Sequence, residues 1–236
     1  MIRLYQFQPA FGLPNASPFC MKVENYLRMA GLQYEIAPNA SHFRAPKGKL
    51  PYIEDGAKVV ADSSFIVEYL KSTYGDALDA KLTPLEKAQA LALRRMMEEN
   101  LYWALAYTRW MEPQGWEATK AEFFKPVPAL LRGPISALAR RGVARQMWGH
   151  GMGRHGAEEV HQIGKTDITA LADFLGDKPY FMGETPTSLD ATAYAFLANI
   201  IFVPLDSALK QHALKYPRLE AYCRRMRARY YQGTSD

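Results

Sequence analysis

Asn15-Ala-Ser-Pro-Phe-Cys20 places a serine where a dithiol exchange pair would carry its first cysteine. Two cysteines at that spacing on a helix start exchange disulfides because the helix terminus acidifies the leading thiol. Here the leading position is Ser17, so a two-cysteine cycle is not available. A one-cysteine cycle needs Cys20 exposed, whereas a free cysteine one turn into a helix is usually packed and inert. The motif therefore leaves open whose sulfur, if any, this segment serves. His150, His155 and His161 could suggest a metal, but spacings of five and six fit no single helix face and no acidic or cysteine partner is adjacent.

The elements that must position these residues are legible. Ile2–Phe7 reads as a strand, and a Gly/Pro/Asn loop follows it. Ser17 then caps a helix with Pro18 at its first position, Val23, Tyr26, Leu27 and Ala30 on its apolar face, and Gly31 at its end. Leu32–Ile36 reads as a second strand. After a polar loop over 38–49, Leu50-Pro51 leads into a third strand. Glu54-Asp-Gly56 turns it, and Lys58–Ala61 returns beside it. Asp62-Ser-Ser caps a helix with Phe65, Ile66, Tyr69 and Leu70 as its predicted buried stripe. Gly75–Lys81 reads as a linker.

Beyond the linker the pattern turns helical. Thr83-Pro84 with Glu86 makes a capping box, and the apolar positions run from Ala90 through Leu105 and Thr108 to Met111, ended by Pro113. Residues 112–155 predict short helices and irregular chain. Thr187 and Asp190 have the spacing of a second, structural cap. Trp103, Tyr107 and Trp110 share one helix face. The plan is an α/β unit over 1–75 followed by an all-helical unit over 83–236.

Composition narrows the classes. With 236 residues, 48% of them hydrophobic, the chain can bury a sizeable core, and a formal charge of +5 favours anionic small molecules mildly without calling for nucleic acid. Two cysteines make no disulfide framework and fit a reducing compartment. No signal-peptide layout opens the chain, and the apolar run Ala191–Leu205 falls short of the ~20 residues of a spanning helix. A cytoplasmic protein without a membrane span is the expectation.

The order β-α-β-β-β-α, the proline before the third strand and the Asp-Ser opening the last helix together resemble the N-terminal domain of glutathione transferases. LYQFQPAFGLPNASPFCMKVENYLRMAGLQYE, APKGKLPYIEDGAKVVADSSFIVEYL and NLYWALAYTRW resemble the branch of that superfamily with the failed-axon-connections and metaxin-like proteins. The resemblance implies a thioredoxin-like domain followed by an all-helical one, and a homodimer. It implies glutathione as co-substrate, with no metal or organic cofactor and a small electrophile or peroxide as second substrate. Carried onto this chain, Ser17 is the implied catalytic residue, activating the glutathione thiol. Leu50 and Pro51 would pair with the cysteinyl backbone, Lys49 would meet the glycine carboxylate, and Asp62 and Ser63 would grip the γ-glutamyl end. Arg44 and Lys47 read better as a solvated basic loop. Phe11, Trp103, Tyr107 and Trp110 would line the second-substrate pocket, Leu13 is a further candidate to lie over the site, and Tyr5 is a rival thiol activator. Arg109 reads as a group to orient an anionic substrate or as a surface charge. Two alternatives stay open. One is a non-catalytic interaction module of metaxin type, in which the basic segment 120–154 meets a partner or an anionic membrane. The other is a glutathione-dependent thiol oxidoreductase using Cys20.

Overall fold

A computed structural model describes residues 1–38 and 40–231, with His42 described by its backbone alone. Asn39 in the predicted polar loop and residues 232–236 at the end of the predicted helical unit lie outside the described residues. The chain opens with strand β1 (Ile2–Tyr5), helix α1 (Pro18–Met29), β2 (Tyr34–Ile36), β3 (Tyr52–Asp55), β4 (Lys58–Ala61) and α2 (Ser63–Tyr74). The sheet order is β2-β1-β3-β4, with β1 and β2 parallel and the remaining pairs antiparallel. Alternation sets its inner face: Ile2, Leu4 and Ile53 are buried against Val23, Tyr26 and Leu27 of α1 and Ile66, Val67 and Leu70 of α2.

Two expectations need correction here. Phe65 is not part of the α2 stripe. It is 62% exposed, with the Lys47 ammonium 4.5 Å from its ring centre, and Val67 takes the buried position. The helix α1 is not one-faced: residues 20–27 are buried without a break. It lies between the sheet on one side and a later helix, α8 (Ser188–Ile201), on the other. Its polar residues therefore have to find partners inside the protein. Glu24 accepts from Gln6 and Arg28, each at 2.8 Å, and Asn25 donates to the Ala191 carbonyl at 2.8 Å.

The helical part begins with α3 (Pro84–Arg95), runs through a π-helical stretch (Met96–Leu101) and continues as α4 (Tyr102–Trp110). The predicted capping box is present, the Glu86 carboxylate accepting from the Thr83 amide at 2.8 Å and the Thr83 hydroxyl from the Glu86 amide at 3.3 Å. Pro113 both follows this run and opens α5 (Pro113–Phe123). The 112–155 expectation fails in part, because α6 (Ala129–His150) is a helix of 22 residues. Pro134 stands in its second turn, and the outward face carries Leu130, Leu131, Leu138 and Trp148, all exposed. The inward face has Ser136, Met147 and Arg140, whose guanidinium donates to the Trp110 and Met111 carbonyls at the end of α4. Apolar periodicity cannot find a helix whose hydrophobic residues point outward.

Helices α7 (Ala157–Leu175), α8, α9 (Ala208–Ala213) and α10 (Pro217–Tyr230) complete the bundle, with α8 buried along its whole length after Ser188. Asp190 accepts from the Thr187 amide (2.8 Å), the Phe181 amide (3.0 Å) and the Tyr222 hydroxyl (3.2 Å), which makes it the structural cap expected. Within the predicted linker, Asp79 is buried and ties Lys71 of α2 (2.5 Å) to the Ser188 amide (2.8 Å).

Asp167 on α7 faces the π-helical stretch, where the Asn100 amide is its donor at 2.8 Å. Burial pushes its carboxyl up to about 6. A raised acid binds more protons folded than unfolded, so this group's contribution falls as pH rises from about 4 to 6 and stays lost above. Asp167→Asn is expected to raise stability at neutral pH by about 1–3 kcal/mol and to flatten that pH window. Denaturant melts across pH 4 to 8 would check both, and an unchanged pH slope would remove the assignment.

Candidate active site

One row of the sheet builds the site. Tyr5 pairs with Tyr52, and Tyr52 with Ala61. The end of β1, the start of β3 and the end of β4 therefore lie side by side. The segments that issue there carry Ser17, Leu50-Pro51 and Asp62-Ser63.

Ser17 is the N-cap of α1, its hydroxyl accepting from the Cys20 amide at 3.4 Å. Its own amide donates to the Asn15 side chain at 2.9 Å, while Asn15 donates to the Phe7 carbonyl at 2.6 Å. The loop between β1 and α1 is thus fixed from inside. Cys20 is fully buried, packed with Ala45, Leu50 and Tyr52, and burial pushes its thiol up to about 12. A thiol so placed stays neutral and does not exchange. Tyr5 is also spoken for: its ring stacks on Tyr52 at 4.2 Å and its hydroxyl donates to Glu54 at 2.7 Å, which raises its pKa.

The Leu50–Pro51 peptide bond is cis, and both residues are buried. Lys49, Arg44 and Lys47 are exposed on the loop before it. Asp62 has φ of 84°, left-handed territory that a non-glycine residue occupies only where the surroundings impose it. Its carboxylate is exposed and accepts from the Ser64 amide at 2.9 Å, capping α2. Behind it Ser63 is buried, and its hydroxyl accepts from the Lys22 ammonium at 3.2 Å.

Lys22 is a functional neighbour that sequence reasoning missed. It reaches from α1 to Ser63, to Ser64 at 3.0 Å and to Glu98 in the π-helical stretch at 2.5 Å, with both ionic side chains all but inaccessible. Nothing local in the sequence marks it, because its carboxylate lies 76 positions away. Arg109 is not a surface charge. It is buried and donates to the Ala16 carbonyl at 2.6 Å.

The aromatic residues fall into two groups. Phe11 packs on Phe123 of α5, with ring centres 5.5 Å apart, and Phe123 meets Trp110 at 6.2 Å, so Phe11 and Trp110 share a cluster. Trp103 instead stacks on His150 at 4.7 Å, and Tyr107 meets His161 edge-on at 6.5 Å. Leu13 is core and not a cover. Tyr102, which sequence reasoning passed over as a site residue, contacts Phe19 beside the Ser17 cap, with ring centres 4.9 Å apart. His155 pairs with Glu159, His161 with Glu112, and His150 stacks on Trp103.

Residues 18–115 match the family model for the glutathione S-transferase N-terminal domain, and residues 164–226 match that for the C-terminal domain. The chain is 39% identical to an isoprene-epoxide--glutathione S-transferase of Rhodococcus sp. (strain AD45), over 98% of this chain and 99% of that one. It is 36% identical to the failed axon connections protein of Drosophila melanogaster, over 96% of this chain but only 57% of that protein. It is 29% identical to metaxin-2 of Homo sapiens, over 90% of this chain and 81% of that one. Among solved structures, a glutathione S-transferase of Ceriporiopsis subvermispora in complex with glutathione superposes with a TM-score of 0.66 at 20% identity, covering 100% of this chain and 98% of that one. The β-etherase LigF from Sphingobium sp. strain SYK-6 gives 0.65 at 21%, covering 96% and 95%. The chain belongs to the glutathione S-transferase family, and its fold is the thioredoxin-like domain plus helical domain of that family. Among the described residues, no helix is long and apolar enough to cross a membrane.

Proposed function

We propose that this chain is a glutathione transferase that joins the thiol of glutathione to a small apolar electrophile. The observation that carries the reading is the sheet row Tyr5–Tyr52–Ala61, which delivers a hydroxyl, a cis X-Pro backbone and an acidic helix cap to one end of the sheet. In this reading Asp62 faces the amine of the γ-glutamyl group, and Ser63 with the free N–H groups of α2 holds its carboxylate. Leu50 and Pro51 present backbone to the cysteinyl part, as a short added strand does, and Lys49 meets the glycine carboxylate. Ser17 donates to the sulfur, and the α1 terminus adds its dipole. The thiolate forms a carbon–sulfur bond as the electrophile's leaving bond breaks. With an epoxide, the substrate class in the name of the Rhodococcus relative, the ring C–O bond opens and the alkoxide takes a proton from water. Phe11 and Trp110, which share a cluster, line the pocket for that partner, and the working state is a cytoplasmic homodimer.

Asp62→Asn tests binding with little disturbance, since asparagine tolerates the positive φ and still caps α2. Calorimetry is expected to show glutathione binding weakened roughly 10–100-fold, the loss of one charge-assisted hydrogen bond. A parent protein that binds no glutathione would sink the proposal. Binding without turnover on epoxides and generic aryl electrophiles would assign the chain to the non-catalytic reading that the metaxin-2 likeness keeps in view.

A further inference from the structure

Beneath the Ser17 turn lies a buried cation with no carboxylate to answer it. Arg109, near the end of α4, is 5% exposed. One guanidinium nitrogen donates to the Ala16 carbonyl at 2.6 Å; the other donates to the Asn199 carbonyl at 2.9 Å and to the Asn199 side-chain oxygen at 2.8 Å. The Phe11 ring centre is 5.6 Å from it. Among the described residues, no Asp or Glu forms an ion pair with it. Asn199 also donates to the Asn15 carbonyl at 3.3 Å, and Asn15 accepts from the Ser17 amide at 2.9 Å. Residues 15, 16 and 17 therefore each carry a bond into one network reaching back to α4 and α8.

A desolvated guanidinium bonded only to neutral oxygens gives up hydration with no Coulombic return. Neutral groups can hold a turn, as Asn199 already does at Asn15. The charge makes sense if an anion arrives beside it. None of the groups bonded to it carries a negative charge. Tyr102 on its own helical run carries a phenol raised by burial, Cys20 from α1 is a neutral thiol, and α8 offers only the Asn199 amide. On the helices packed against α4, Glu122 of α5 is bound to the Phe11 amide and Lys125. Arg140 of α6 is bound to carbonyls, and Glu112 is paired with His161 of α7.

We propose that Arg109 is a positioning residue of the thiol site, which holds the Ser17 turn through Ala16 and Asn199 and whose uncompensated charge favours the thiolate of glutathione bound at Ser17. This rests on the glutathione transferase reading above. In general a unit charge within about 10 Å, at an effective permittivity near 20, moves a thiol by about one pKa unit.

The test follows the ultraviolet thiolate absorbance of bound glutathione against pH, with calorimetric affinity alongside, in the parent, Arg109→Met and Asn199→Asp. The aspartate keeps an acceptor for the guanidinium and neutralises it, with loss of the Asn199 bond to the Asn15 carbonyl, whereas Arg109→Met keeps that bond. Both variants are expected to bind glutathione and to raise the pKa of the bound thiol by about one unit, whereas Arg109→Lys stays near the parent. A bound thiol that titrates alike in the parent and both variants overturns the proposal, as does a parent thiol no more acidic than that of free glutathione. If neither neutralising variant folds, the role is structural and the proposal falls. A parent that binds no glutathione fails at the earlier step and overturns the functional reading with it.

Discussion

Ser17→Ala is expected to lower conjugating turnover roughly 10²–10³-fold, the usual cost of removing one donor to a developing or resident anion, while glutathione still binds within several-fold of the parent. The fold should tolerate the change. The hydroxyl accepts from the Cys20 amide at a long 3.4 Å, and the turn is held independently through Asn15, Ala16 and Asn199. Pro18 at the first helical position keeps the helix start in place. A lost cap of this quality costs about 0.5–1 kcal/mol. Cys20→Ala is the control. It removes a fully buried thiol packed with Ala45, Leu50 and Tyr52, so it should cost stability and leave the rate nearly untouched. Steady-state rates with an epoxide and with an aryl halide, beside thermal melts of both variants, decide the matter. A fully active Ser17→Ala with a dead Cys20→Ala would reverse the assignment.

The largest loss of stability is expected from Glu98→Gln, about 3–5 kcal/mol by denaturant unfolding. The change leaves the Lys22 ammonium in the interior with two serine hydroxyls as acceptors and no carboxylate. The double variant Lys22→Met with Glu98→Leu should recover much of that loss, because two apolar side chains owe nothing to hydration. A Glu98→Gln protein as stable as the parent would mean that the pair carries no charge in the folded state. Burial also lowers the Lys22 pKa. The unfolded chain therefore keeps this proton to higher pH than the folded one, and stability rises with pH between the lowered folded value and the ordinary lysine value. Lys22→Met should lose that alkaline slope.

Local rules carried most of the fold. Caps at Ser17, Asp62, Thr83 and Thr187, the Leu50-Pro51 step and the β-α-β-β-β-α order all depend on neighbours within a few residues, and the structure places them where the sequence does. The misses share a different cause. Phe65 satisfies the helical period of α2 yet faces outward under Lys47, and α6 turns its leucines away from the core, so period alone misjudged both. Lys22 and Arg109 look in sequence like any surface cations. Their partners, Glu98, Ala16 and Asn199, lie 76, 93 and 90 residues away, and no window along the chain spans such distances. The placement of the candidate residues at one end of the sheet was therefore readable, while the buried contacts behind them were not.

The Lys22–Glu98 pair also bears on inheritance. One partner belongs to the thioredoxin-like unit and the other to the helical unit; Asn25–Ala191 and Ala16–Arg109 cross the same boundary, as does Lys71–Ser188 through Asp79 of the linker. A chimaera that joined this first unit to the helical half of a relative lacking an acid at the position of Glu98 would bury a lone ammonium beside Ser63. A working chimaera would therefore have to carry positions 22 and 98 together, as one linked pair across the boundary.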